Sequence, residues 1–406
     1  MMNTDFHRAM PGNEPIRPYR PSDPETAALK ARLAELASET IEVPCIVGGE
    51  EIRTGDLRED RAPHDHDQLL CKWHAATPEV VERAITSSRE AWREWSETPA
   101  HVRVAIFEKA ATLLAGPWRD TINAATMLGQ SKTCFQAEID AACELIDFWR
   151  FNNAYVLNQI YTEQPPHSPD GMWNVLDHRP LEGFVYAVTP FNFTSIAANL
   201  AGAPALMGNV AIWKPSDHSV FSNYFIMKLY EAAGMPPGVI NFIPGDPAAI
   251  TQQLMASPEF SGLHFTGSTH VFRQLWKQTG EQLDRYRNYP RIVGETGGKD
   301  FIFVHESADA EAVAVAALRG AYEYQGQKCS AASRMYVPRS LWGDVRDRLI
   351  ADMKTIKMGD PADFSNFIGA VIHEGSFDKL SGAIDHARKR TRQPVALDED
   401  VLDLLE

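Results

Sequence analysis

The stretch GFVYAVTPFNFTSIAANLAGAPALMGNVAIWKPS (183–216) decides the fold. It opens on an apolar run, Gly183–Val188, and turns at Thr189-Pro190. A helical pattern over Ser195–Met207 follows, then a second apolar run at Val210–Trp213 and a second helical pattern over Ser219–Ala233. The alternation repeats downstream: strand Gly238–Ile243, helix Pro247–Met255, strand Gly262–Phe265, helix Thr269–Gln278. Strands alternating with helices of this length imply βαβ units and an α/β fold built on a parallel, doubly wound sheet. Ligands gather at the C-terminal ends of such strands, so the residues just after each strand carry the functional reading.

Outward from this core the texture changes. Residues 1–24 are Pro-rich and polar and read as an extended arm. Residues 25–38 have helical spacing with Leu29, Leu33 and Leu36 on one face. Residues 41–56 read as a hairpin around Gly48-Gly49, and 77–156 as helices interrupted at Gly116-Pro117 and Gly129-Gln130. On the other side, 291–304 reads as two short strands joined by Glu295–Lys299. A helix (Ala310–Tyr322), a polar turn carrying Cys329, a strand (Arg334–Val337) and a helix (Leu341–Ile356) follow.

Four places could carry chemistry. Thr189-Pro190-Phe191-Asn192-Phe193 puts Asn192 just before a helix, where its amide and the helix dipole could stabilise an oxyanion; Asn is equally common there as an N-cap. Lys214-Pro215-Ser216-Asp217 ends a strand with a lysine and an acid suited to ribose hydroxyls, or with a surface Lys and a helix-initiating Asp. Gly267-Ser268-Thr269 opens a helix and suits a pyrophosphate, or ordinary capping; it is not a GxGxxG fingerprint. Cys329 lies in the polar turn Gln325–Ser330, unlike a packing cysteine, with Lys328 beside it to help hold a thiolate. Glu295, among glycines, is an available general base. Cys45, Cys71, Cys134 and Cys143 read as packing residues, and the loose group His64, His66, His74 does not read as a metal site.

Composition narrows the classes. The 406 residues imply two or three domains, and 44% hydrophobic with 23% charged residues is a globular profile. A net charge of −15 disfavours nucleic acid and anionic lipid as partners, but leaves room for an anionic cofactor held by backbone N–H groups. The odd count of five cysteines, without CxxC, fits a reducing compartment, here read as cytoplasmic. The start of the chain has no apolar core of a signal peptide, and no apolar run reaches the length of a membrane helix.

Taken in order, PFNF, WKPS, FTGS, ETGGK and GQKCS match the aldehyde dehydrogenases. MLGQSKT (127–133), QAEIDAACELIDFWRFN (136–152), LEGFVYAVTPFNFT (181–194), APALMGNV (203–210) and EYQGQKCSA (323–331) resemble the 1-pyrroline-5-carboxylate (L-glutamate γ-semialdehyde) dehydrogenases, in a bacterial-like form. The resemblance runs from about 40 to about 387. It implies NAD as cofactor, a small-molecule aldehyde substrate, and a cysteine thiohemiacetal and thioester mechanism. Cys329 is then the nucleophile, Asn192 with the Cys329 N–H the oxyanion hole, and Glu295 the general base. Lys214 and Asp217 would face the adenosine ribose and Ser268 the pyrophosphate, with Ser216, Gly267 and Pro190 also binding the cofactor. Glu144, Phe193, Lys328 and Ser330 would line the substrate site.

The resemblance also divides the chain. It implies an arm and helix over 1–40, an NAD-binding domain over 41–298, a partial catalytic domain over 299–388, and a tail over 389–406 that resembles nothing in the family and reads as out-of-frame or spliced sequence. The family's EIFGP-type segment, its Gly-Ser anchor loop for the substrate carboxylate and its oligomerisation hairpin find no counterpart here. A sheet lacking those strands is expected to leave an apolar face uncovered. Three expectations follow: an active semialdehyde dehydrogenase; a non-catalytic relic that at most binds nucleotide or co-assembles with a full-length copy; or an aldehyde dehydrogenase with another substrate, against which Glu144 and QAEIDAACELIDFWRFN argue.

Overall fold

The computed structural model describes residues 8–390. Arm residues 8–23 are extended and lead into α1 (Pro24–Ala37), which buries Leu29, Leu33 and Leu36. Strands β1 (Ile41–Val43), β2 (Cys45–Val47), β3 (Glu50–Ile52), β4 (Leu57–Ala62) and β5 (Asp65–His74) come next. The β2–β3 hairpin turns on Gly48 and Gly49, both at positive φ as a tight two-residue turn requires. A helical block follows: α2 (Pro78–Trp95), α3 (Ala100–Ala115), α4 (Arg119–Gln130), the short α5 (Cys134–Ala137), a π-helical segment (Glu138–Cys143) and α6 (Glu144–Tyr155). Gly129-Gln130 does not interrupt α4, which runs through both and stops at Ser131 in a left-handed conformation.

The alternating region forms as read: β6 (Phe184–Val188), α7 (Thr194–Leu206), β7 (Val210–Lys214), α8 (Val220–Ala233), β8 (Ile240–Phe242), α9 (Pro247–Ala256), β9 (Phe260–Gly267), α10 (Thr269–Glu281) and β10 (Arg291–Thr296). The main sheet has order β10-β9-β6-β7-β8-β2-β3, parallel from β10 to β8, with the hairpin added antiparallel. Every residue of β7 is buried, as central strands are when helices cover both faces. The second sheet, β1-β5-β4, escaped the sequence reading because its strands LREDRA and DHDQLLCKWH are too charged to read as strands.

The two short strands expected over 291–304 do not pair with each other. β10 completes the main sheet, whereas β11 (Phe301–Phe303) pairs parallel with β12 (Arg334–Tyr336) in a separate two-stranded sheet. Helices α11 (Ala310–Tyr322), α12 (Arg339–Met353) and α13 (Glu374–Arg390) complete the described chain. Phe301 and Phe303 are 61% and 76% exposed on that small sheet. The tail expected over 389–406 falls outside the described residues except for its first two positions, which continue α13.

The arm is tied down by charge. Buried Arg119 pairs with Glu14 at 2.5 Å and with fully buried Glu138, which also accepts from the Arg17 N–H (2.8 Å), the Tyr19 hydroxyl (3.0 Å) and the Asn123 amide (2.8 Å). A buried carboxylate with this many donors stays ionised, and Glu138 is held below the usual carboxylate range against the opposing effect of burial. Among the described residues no helix is long and apolar enough to cross a membrane.

Candidate active site

The register of the main sheet sets the site. Glu295 on β10 is opposite Thr266 on β9, and Val188 on β6 lies between Phe265 and Lys214. The segments after β6, β7, β9 and β10 therefore leave the sheet at one end, where ligands of such sheets sit. Glu295 is on β10 itself, exposed, and not in the linking turn as the sequence reading had it.

Cys329 comes from the other side. It follows three successive left-handed residues, Tyr324 (φ 52), Gln325 (φ 55) and Gly326 (φ 67). Two of these are not glycine, and each such residue costs on the order of 1–3 kcal/mol. The turn is held against that strain. Tyr324 is fully buried, Gln325 donates to the Ala370 carbonyl (2.6 Å) and accepts from the Gly369 N–H (3.2 Å), and Gln327 accepts from the Ile372 N–H (3.0 Å). Asn192 Nδ2 donates to the Gln327 carbonyl at 2.8 Å, joining the β6 turn to the cysteine turn. Gly298 touches the other face: a Cβ there would fall 1.7 Å from the Cys329 carbonyl oxygen.

A cleft of about 630 Å³ opens between these elements. Glu144, Phe193, Glu295, Lys328, Cys329 and Ser330 all line it, so six residues scattered over the sequence converge. Asp140, Asn199 and His264 line it too and were not anticipated; nothing local in their sequence marks them. Burial pushes the Cys329 thiol up, the Glu295 charge adds to this, and the Ser330 N–H opposes it. Lys328 does not turn to the thiol as expected. Its ammonium lies 2.9 Å from Asp140 and 3.5 Å from Glu323, because carboxylates outcompete a protonated thiol for a cation.

Glu144 accepts from the Ser195 hydroxyl at 2.5 Å. Burial, with the Asp140 charge, pushes its carboxyl up to about 7, against the Ser195 hydrogen bond, Lys132 and Lys328. It therefore titrates near neutrality.

A second set sits at the same sheet end but outside that cleft. Lys214 Nζ pairs with Asp217 at 2.6 Å, and the Ser216 hydroxyl accepts from the His218 N–H at 3.4 Å. Ser268 caps α10, its hydroxyl accepting from the Val271 N–H at 3.3 Å, so the capping reading is realised. Gly267 ends β9, and Pro190 lies partly buried after β6. The three histidines go separate ways: His64 to Ser131 (2.7 Å), His74 to Glu42 (2.9 Å), and His66 into the β4–β5 region. Among the described residues no group of three or more His, Cys, Asp or Glu is arranged to hold a metal ion. Cys45, Cys71, Cys134 and Cys143 are buried.

Comparison with known proteins places this geometry. A delta-1-pyrroline-5-carboxylate dehydrogenase of Agaricus bisporus is 49% identical over 379 residues, 93% of this chain and 69% of that protein. A mitochondrial one of Dictyostelium discoideum is 48% identical, over 93% of this chain and 68% of that protein. The crystal structure of the Mycobacterium tuberculosis Delta-pyrroline-5-carboxylate dehydrogenase bound with NAD superposes with a TM-score of 0.93 at 48% identity, covering 96% of this chain and 73% of that one. The family model described as "Aldehyde dehydrogenase family" matches residues 53–400, and the chain belongs to that family.

Proposed function

We propose that the chain oxidises L-glutamate γ-semialdehyde, the open form of 1-pyrroline-5-carboxylate, to L-glutamate with NAD, a step of proline catabolism. One observation carries this reading: a thiol (Cys329) and a carboxylate (Glu295) from distant segments meet at a cleft whose wall holds Glu144 and Lys328, with the Asn192 amide tied to the cysteine turn through the Gln327 carbonyl. A carboxyl and an ammonium suit the amino and carboxylate groups of an amino-acid aldehyde. The names of the relatives support the same substrate.

The residues at the sheet end fit NAD. The Lys214–Asp217 pair is a donor–acceptor set for ribose hydroxyls, and Asp217 is partly exposed beside it. Ser268, Thr269 and His270 are exposed at the N-terminus of α10, where first-turn N–H groups favour a pyrophosphate. When bound, NAD supplies the hydride acceptor. The chain's own residues do the rest. Cys329 loses its proton to solvent through the open cleft, and its sulfur attacks the aldehyde carbon to form the thiohemiacetal. Asn192 and the Cys329 N–H steady its oxyanion. Once the thioester has formed, Glu295 takes the proton of the water that cleaves it. Phe193 and Ser330 flank the aldehyde carbon chain, and Gly267 and Pro190 border the cofactor. The five unpaired cysteines suit a reducing compartment such as the cytoplasm.

NADH formation on adding 1-pyrroline-5-carboxylate and NAD, with Cys329→Ala as control, tests this. A rate abolished in the control supports it; no rate in the parent overturns it. A second reading, nucleotide binding without turnover, draws on the exposed Phe301 and Phe303 of the small sheet beside Cys329. It requires NAD to bind, by fluorescence titration, while no NADH forms.

A further inference from the structure

Lys132 is fully buried, does not line the cleft, and has no part in the chemistry proposed above. Its ammonium is 2.6 Å from Asp140 and sits over the rings of Phe193 (4.3 Å) and Tyr324 (4.4 Å). Asp140 is itself shared. Its Oδ2 lies 2.6 Å from Lys132 and 2.9 Å from Lys328, the residue next to Cys329. One carboxylate thus serves two ammonium groups, one sealed in the protein and one on the wall of the cleft.

We propose that Lys132 and Asp140 are positioning residues that divide one negative charge between two lysines, and so set how much of the Lys328 charge is presented to the cleft that Cys329 also lines. The geometry carries this. A carboxylate facing a single lysine would neutralise it; facing two, it leaves a net positive charge, part of it at the cleft, since Glu323, 3.5 Å from Lys328, is itself held by Arg319 at 2.8 Å. The aromatic rings of Phe193 and Tyr324 keep Lys132 in place as a cation where no water can. Phe193 follows Asn192, and Tyr324 opens the cysteine turn, so the same ammonium touches both halves of the site. The other titratable groups facing the set are Glu144, Tyr324 and, on Lys328, Glu323. Burial pulls Lys132 down to about 8, with Asp140 opposing and Lys328 adding to the fall, so the division is open to change at mildly alkaline pH.

This inference rests on the reading of Cys329 as the reacting thiol, but its test needs no turnover. The rate of Cys329 alkylation by iodoacetamide, assigned by peptide mass, is measured against pH on the full chain and its variants, each checked for a cooperative thermal transition. Lys132→Met gives Asp140 wholly to Lys328 and removes a positive charge, so alkylation near neutral pH should slow at least threefold. Asp140→Asn removes the nearer of the two carboxylates on Lys328, leaving Glu323 at 3.5 Å, and should speed it at least threefold. The double variant removes both charges and should return to within about twofold of the parent. Opposite shifts in the singles that cancel in the double support the proposal. Singles that leave the rate unchanged, or move it the same way, overturn it, as does a double that fails to restore it. If one single does not fold, the direction of the other decides. Absence of NADH formation beside intact alkylation shifts would sink the proposed dehydrogenase activity alone.

Discussion

Alanine at position 298 should disable the thiol while leaving the fold in place. The Cβ it adds would fall 1.7 Å from the Cys329 carbonyl oxygen, 2.3 Å from Asp300 Oδ2 and 2.8 Å from the Cys329 carbonyl carbon. Two of these three atoms are backbone and cannot swing aside. Since real Cβ atoms keep at least 3.0 Å, the two segments must part by about 1.3 Å. That displacement acts on the residue that would attack the aldehyde, and misplacement of about 1 Å costs on the order of 100-fold in rate. The overpacking itself should cost about 1–3 kcal/mol. Gly297, one residue earlier, is the internal control: nothing lies within 4 Å of its Cβ position. The assay is NADH formation from 1-pyrroline-5-carboxylate and NAD, with thermal unfolding on the same samples. Gly298→Ala should lose about 100-fold in kcat with a cooperative transition retained, and Gly297→Ala should stay within about threefold of the parent. If the two variants behave alike, the argument from close approach is wrong.

Glu295→Gln should separate two effects. Removing the carboxylate charge lowers the thiol from its raised position, so iodoacetamide alkylation at neutral pH should speed up, while thioester hydrolysis loses its base and should slow by on the order of 100-fold or more. A burst of NADH followed by a stall is the expected trace, and steady turnover at the parent rate would remove Glu295 from the mechanism. Ser195→Ala deletes the hydrogen bond that favours ionised Glu144. Bonds to charged groups are worth about 1.5–3 kcal/mol, so the carboxyl should move further up by roughly 1–2 pH units. The ionised form would then be lost from neutral pH, and the pH at which substrate KM changes should rise with it; an unmoved profile argues that Glu144 does not meet substrate. Arg119→Met leaves Glu138 buried without its guanidinium and cuts the tie to Glu14. Stability in urea should fall by about 3–5 kcal/mol, and faster proteolysis of the arm should accompany it; a loss below about 1 kcal/mol would contradict the burial argument.

Much of the fold is local in origin and was legible. The alternation from Gly183 to Gln278 gave the strands and helices of the main sheet to within a few residues, because buried parallel strands are apolar runs and their helices have a 3.6-residue period. The Gly48-Gly49 pair located the β2–β3 hairpin, and both glycines take positive φ in the structure. Cys329, Glu295 and Asn192 could be singled out, because a thiol in a polar turn, a carboxylate among glycines and an amide just after a strand are unusual for packing. Order in the sheet could not be read: β10 and β11 look alike on paper, yet they join different sheets, since strand partners depend on contacts far apart in sequence. The same holds for charge. Lys328 stands beside the thiol in sequence, and its ammonium goes to Asp140, 188 positions away. Lys132, Asp140 and Ser195 had no local mark at all. The sequence by itself determined which segments are strands and helices and which side chains are chemically able. Only the tertiary structure decided which charges meet, because Coulomb energy and desolvation depend on distance and burial, and neither is written in spacing along the chain.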